Sequence, residues 1–259
     1  MIGNNLDASN YFPKMWFVPP TEEQYGRLCF GFDENFKIAE GGMNDQGLYI
    51  SVNALDQETG WTADSTLPDW EEWEGWFECG VPDGILAKCA TVEEAIAVFK
   101  KYNLFTLQKV KFLVADKAGN SVVIEWSNGA LRFLKRNEKD YQISTNFVTS
   151  NYKPEDIPCY RYKTAVKMFE DNKKRASVDF LRGILSATHI EFNTPTVYSN
   201  ICNLNTGDIY IYYFHNYEEA VKINLREKLK EGRSEYLLSD LFKVKPYVAK
   251  VYEDYYQKK

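Results

Sequence analysis

The order in which hydrophobic periodicity changes along the chain most constrains its fold: strand-like alternation first, helical stripes next, then alternation again. MIGNNLD (1–7), YGRLCFGFDENFKIAEGG (25–42) and GLYISVNAL (47–55) alternate with period two, and the second reads as a hairpin turning at Asp33-Glu34-Asn35. YFPKMWFVPP (11–20) carries three prolines among aromatics and reads as a stiff loop rather than an element. Residues 57–78 form a second long loop, acidic and holding Trp61, Trp70, Trp73 and Trp76.

The first helical signal is a capping box, Thr91 with Glu94, ahead of an apolar stripe of Val92, Ala95, Ile96, Val98 and Phe99. FLVADKAGNSVVIEW (112–126) reads as two strands around Lys117-Ala118-Gly119-Asn120, and GALRFLKR (129–136) as a third. Helices are predicted from Tyr160 to Phe169 and from Ser177 through Leu185, followed by a hairpin of TVYSNICNL (196–204) and GDIYIYYF (207–214). The remainder, 218–232 and 236–259, is amphipathic and rich in tyrosine. Strands, helices and strands again imply a layered α+β arrangement. No Pro/Gly/Ser-rich linker interrupts it, so residues 1–259 read as a single domain.

At 259 residues and 44% hydrophobic content the chain can bury a large core. Its net charge of −6 argues against a nucleic-acid or anionic-membrane surface, and the cluster Lys173, Lys174, Arg175 reads as a solvated loop. No apolar run reaches the length of a membrane span. Five cysteines, an odd number without short metal-type spacing, suggest neither a disulfide framework nor a zinc site. With His189 and His215 as the only histidines, neither a metal nor a cofactor is expected.

Six stretches occur in an informative order: GNNLD (3–7), GGMNDQGLYISVN (41–53), FLVADKAGNSVVIEW, STNF (144–147), CYRY (159–162) and TVYSNICNLNTGDIYIYYFHNY (196–217). Together they resemble the linear-amide C–N hydrolases, a group similar to choloylglycine hydrolases, penicillin V acylases and acyl-CoA:6-aminopenicillanate acyltransferases. The resemblance implies a four-layer αββα sandwich of the N-terminal-nucleophile (Ntn) hydrolase type. It also implies hydrolysis of N-acyl amides, penicillin-like compounds or bile-acid conjugates by an amino-terminal cysteine. Acyl transfer within the same family, and ligand binding without catalysis, are the alternatives.

Residue by residue, the resemblance assigns Asp7 to orienting the nucleophile's amine and thiol, Asn146 and Asn53 to the oxyanion, and Arg161 to electrostatic support of the nucleophile. Each has a structural alternative: Asp7 caps a turn, Asn146 stabilises a loop, and Arg161 pairs with a nearby carboxylate. Asn4 departs from the bile-salt and penicillin V branches, which carry Arg there. Trp16, Trp61 and Trp70 are the expected walls for a small acyl-amide substrate, although aromatics in long loops also serve simply to pin them. The C-terminal tyrosines, Tyr247, Tyr252, Tyr255 and Tyr256, suit a packing helix or a homo-oligomer contact.

The nucleophile itself has no match in the sequence. None of Cys29, Cys79, Cys89, Cys159 and Cys202 replaces it, because four sit in apolar contexts and Cys159, though near Arg161, has no positioned base. In the family the cysteine begins the strand that pairs with GNNLD, so two expectations stand: the chain starts downstream of that strand, or catalysis has been lost. Either way a free sheet edge is expected beside GNNLD.

Overall fold

Alternation folds into two antiparallel sheets in a computed structural model that describes residues 1–9, 12–33, 37–73, 79–172 and 176–257. The turn at Glu34-Asn35, Trp76, the 173–175 cluster and the side chains of Tyr252, Tyr255 and Tyr256 lie outside the described residues. The strands are β1 Ile2–Asp7, β2 Lys14–Val18, β3 Arg27–Asp33, β4 Lys37–Asn44, β5 Leu48–Ala54 and β6 Val110–Asp116. They continue as β7 Ser121–Ser127, β8 Ala130–Lys135, β9 Thr196–Cys202, β10 Asp208–Tyr213, β11 Val221–Asn224 and β12 Ser234–Leu237. One sheet has the order β12-β2-β3-β4-β5-β6-β7-β8 and the other β1-β9-β10-β11.

Period two decides the layering, because alternate residues of one strand must find different partners. Met15, Phe17, Leu28, Phe30 and Met43 of the larger sheet meet Ile2, Leu6, Val197, Tyr198, Ile209, Ile211 and Tyr213 of the smaller one in a dry core between them. The intervening residues Trp16, Cys29, Leu48 and Ile50 face outward and are covered by α1 (Val81–Lys88) and α2 (Val92–Phe99). Outside the smaller sheet, Ile201 and Tyr212 pack on α3 (Tyr160–Asp171) and α4 (Val178–Thr188). This is the four-layer αββα order.

Both predicted N-caps form, although the capping box at α2 closes only on the Thr91 side, the Glu94 carboxylate accepting from the Ala90 amide instead of the Thr91 amide. Thr91 Oγ1 accepts from the Glu94 amide at 3.2 Å and opens α2, and Ser177 Oγ accepts from the Phe180 amide at 3.2 Å and opens α4. α1 precedes the first helical signal of the sequence and sets no helical period of its own, because it is buried on nearly every side and has no polar stripe.

Two expectations change. The segment read as a stiff loop holds β2, a central strand paired to both β3 and β12 with Met15, Trp16 and Phe17 buried. Its prolines, Pro13, Pro19 and Pro20, all flank the strand, so no ladder amide is lost. The amphipathic 218–232 stretch divides into β11 and a short helix, α5 (Leu225–Leu229), while 236–259 supplies the second half of β12 and then α6 (Tyr247–Gln257). Among the described residues no helix is long and apolar enough to cross a membrane.

Candidate active site

Among the described residues β1 pairs with β9 alone, leaving its other edge unpaired. That edge runs along a cavity of about 500 Å³, within the range of small-molecule sites. β5 and β6 line it on one side through Ser51–Ala54, Leu113 and Ala115, and α3 and α4 on the other through Ala165, Phe169, Leu181 and Ile184. The segment 140–146 and Arg161 complete the wall.

All four residues expected to carry chemistry line this cavity, and hydrogen bonds join three of them. Arg161, on the first turn of α3, donates through one terminal nitrogen to Asp7 Oδ2 at 2.5 Å and through the other to Asn146 Oδ1 at 2.7 Å. Thr196 Oγ1 donates to the remaining Asp7 oxygen at 2.5 Å, so both carboxylate oxygens are held at the end of β1. The Arg161–Asp7 contact is a single charge-assisted hydrogen bond, with both side chains only 14% exposed.

The two asparagines are turned the same way. Asn146 Oδ1 is taken by Arg161, and its amide gives one hydrogen to the Ala54 carbonyl at 2.9 Å. Asn53 Oδ1 accepts from Ser144 Oγ at 2.6 Å. With both side-chain carbonyls engaged, each amide retains N–H capacity on a residue that lines the cavity. Preoriented neutral donors of this kind stabilise charge that develops on a carbonyl oxygen.

A buried pair behind this wall fixes the loop that carries Asn146. Lys111 and Glu125 face each other across β6 and β7 at 3.7 Å, both side chains fully buried. Lys111 Nζ donates to the Phe147 carbonyl at 2.6 Å and to Thr149 Oγ1 at 2.8 Å. Glu125 accepts from the Thr149 and Ser150 amides at 2.9 and 2.7 Å. Burial, opposed by the Glu125 charge, brings the Lys111 ammonium down to about 8. Neither residue stood out in the sequence, though a charge inside each of two otherwise apolar strand patterns, VKFLV (110–114) and VVIEW (122–126), was the available signal. Glu40 also lines the cavity without having been anticipated, and burial raises its carboxyl above the ordinary value.

The tryptophans do not serve as walls of this cavity. Trp16 faces the helix side of its sheet, 2% exposed, because residue parity in β2 turns it away from Met15 and Phe17. Trp70 is buried against Trp73 and Tyr102, with ring centroids 4.7 and 6.4 Å away. Trp61 packs edge-on against Phe105 and Trp126. All three pin the helix side of the fold, and the apolar cavity wall comes from the α3 and α4 side chains instead.

None of the five cysteines lines the cavity. Burial, with Asp83 nearby, pushes the Cys29 thiol well up; burial and Glu94 push Cys89 to about 12; burial pushes Cys202 to about 12. Cys159 sits at the N-terminal cap of α3, half-buried.

The acyl-coenzyme A:6-aminopenicillanic acid acyl-transferase family model matches residues 84–255, more than half the chain. Among solved structures, a variant of conjugated bile acid hydrolase from Clostridium perfringens superposes with a TM-score of 0.70 at 14% identity, covering 91% of this chain and 92% of that one. Penicillin V acylase from Agrobacterium tumefaciens gives 0.63 at 16% identity, over 90% and 85% of the two chains. The Caenorhabditis elegans ortholog of N-acylethanolamine-hydrolyzing acid amidase gives 0.55 at 20%, over 83% and 91%. No curated protein matches the chain by sequence.

Proposed function

Because this chain belongs to the acyl-coenzyme A:6-aminopenicillanic acid acyl-transferase family, we propose that its cavity cleaves linear amide C–N bonds of small N-acyl compounds. The observation that carries this reading is the bonded set Asp7–Arg161–Asn146, with Asn53 on the same cavity. Asp7 holds the nucleophile's amine, Arg161 fixes Asp7 and Asn146 relative to each other, and the two asparagine amides receive the oxyanion. The acyl group lies against Leu113, Phe169, Leu181 and Ile184.

In this proposal the nucleophile is an amino-terminal cysteine outside the 259 residues, on a strand that pairs with the free edge of β1. Its free α-amine is the base that takes the thiol proton. The thiolate attacks the amide carbon, the amine leaves with that proton, and water then releases the acyl group and regenerates the thiol. Support comes from the edge's position, since every residue of β1 lines the cavity. The family and fold neighbours support the reaction class and leave the acyl group open.

The test is a chain extended by the coding sequence upstream of Met1, assayed against penicillin V and simple N-acyl amides. Turnover and an acyl adduct on the exposed cysteine are expected, with Asn146→Ala lowering kcat by about 10² to 10³. Amine-dependent product from an added acceptor identifies acyl transfer as the dominant outcome. An upstream stop codon, or a folded cysteine-bearing chain that forms no acyl adduct, overturns the reading in favour of a ligand-binding role. Turnover by the 259-residue chain alone overturns the nucleophile assignment.

A further inference from the structure

The sequence contains two histidines, and the fold brings them together. His189 follows α4 and His215 lies just beyond β10, with ring centroids 4.7 Å apart and planes tilted by 38°. Glu191 stands beside them, its Oε1 3.2 Å from His189 Nε2. One ligand-type atom from each of the three lies within 4.8 Å of the other two.

Both rings are oriented by backbone. His189 Nδ1 is 2.5 Å from the Ser186 carbonyl, a contact that requires the proton on Nδ1, so that in the neutral ring the lone pair is on Nε2. His215 has a ring hydrogen bond to the Ile190 backbone, while its Nε2 is buried and has no partner among the described residues. The bond therefore belongs to Nδ1, and Nε2 again carries the lone pair. A carbonyl on the outer ring nitrogen is the arrangement that orients histidines bound to metal.

We propose that His189, Glu191 and His215 form a site for one divalent transition-metal ion of the zinc class. Two imidazoles and a carboxylate suit such an ion, with a fourth position left to solvent. A cation also answers what the geometry leaves unresolved: two lone pairs and a carboxylate grouped around one point, one of the nitrogens buried and orphaned.

The three residues lie outside the cavity, yet one step from Asp7. Ile190, between two of the ligands in sequence, donates its amide to Thr196 Oγ1 at 2.9 Å and accepts from the Thr196 amide at 2.8 Å. Thr196 Oγ1 in turn donates to Asp7. An ion at this point clamps the 189–196 segment behind Asp7, a structural role that does not depend on any activity in the cavity.

The test uses the 259-residue protein stripped of metal with a chelator and titrated with Zn²⁺, then with Co²⁺. One Zn²⁺ per chain is expected, a rise in melting temperature, and a Co²⁺ spectrum of nitrogen and oxygen ligands without a thiolate charge-transfer band. Glu191→Gln, an exposed change, should weaken binding by at least about tenfold while leaving the metal-free melting temperature unchanged, and His189→Gln should weaken it further. Absence of saturable binding, equal affinity in both variants, or a thiolate band pointing to cysteine ligands overturns the site.

Discussion

Lys111 carries its ammonium into a place with no exposed surface, where Glu125 and the Phe147 carbonyl receive it. Removing one partner of such a pair strands the other, so Lys111→Met should lower unfolding free energy by about 3–5 kcal/mol in urea titrations. Glu125→Gln removes the stranded charge while keeping an acceptor oxygen for one of the Thr149 and Ser150 amides, and adding it to Lys111→Met should recover part of that loss through a coupling of about 0.5–3 kcal/mol. Hydrogen exchange at Thr149 and Ser150 should accelerate in the single variant. Additive losses with unchanged exchange would mean that the pair does not hold the Asn146 loop. The motif STNF marks Asn146 in the sequence, but the two charges that fix its loop come from strands β6 and β7, which no local pattern connects to it.

At the scale of elements, the stretch GGMNDQGLYISVN acquires a physical explanation beyond resemblance. Asn44, 1% exposed, gives its amide hydrogens to the Leu86 and Cys89 carbonyls at 2.8 and 2.7 Å and accepts the Leu48 amide at 2.9 Å. One side chain thereby closes the β4–β5 turn and satisfies carbonyls at the end of α1. Gly47 in that turn has φ of 82°, and a Cβ there would lie 2.5 Å from the Leu204 carbonyl oxygen. Asn44→Ala should cost about 2–4 kcal/mol, because it orphans buried groups in two elements. A loss under about 1 kcal/mol in chemical denaturation would show that solvent replaces the side chain. The AD-x-x-G stretch works similarly: Asp116 accepts from the Ala118 and Asn120 amides of its own turn and from the Val92 amide at the start of α2. These motifs were readable as turns; that they also anchor helices was not, because the anchored backbone lies far along the chain.

Across the whole molecule, buried titratable groups tie stability to alkaline pH. Cys89 and Cys202, held up to about 12 by burial against an ordinary 9.0, keep protons in the folded state that the unfolded chain has released. Their contribution is full below pH 9 and is lost as pH rises from 9 toward 12, by about 1.4 kcal/mol per pH unit for each thiol. Lys111, held near 8 against an ordinary 10.5, acts in the opposite sense: the folded state releases first, so stability rises from pH 8 toward 10.5. Cys29, also raised, adds to the thiol side, so the urea midpoint should fall above pH 9. Cys89→Ala with Cys202→Ala should flatten that fall, and an unchanged slope would remove the thiols as its cause. The sequence by itself determined the layered α+β order, most strands and the N-caps, because periodicity and turn chemistry are local, and the resemblance of its ordered motifs singled out Asp7, Asn53, Asn146 and Arg161, which line one cavity. Only the tertiary structure decided that a proline-flanked segment is a central strand, that Trp16, Trp61 and Trp70 face away from the cavity, and that His189 and His215 meet. Those outcomes depend on strand parity and on pairings between distant segments, and neither is encoded within any single window of the chain.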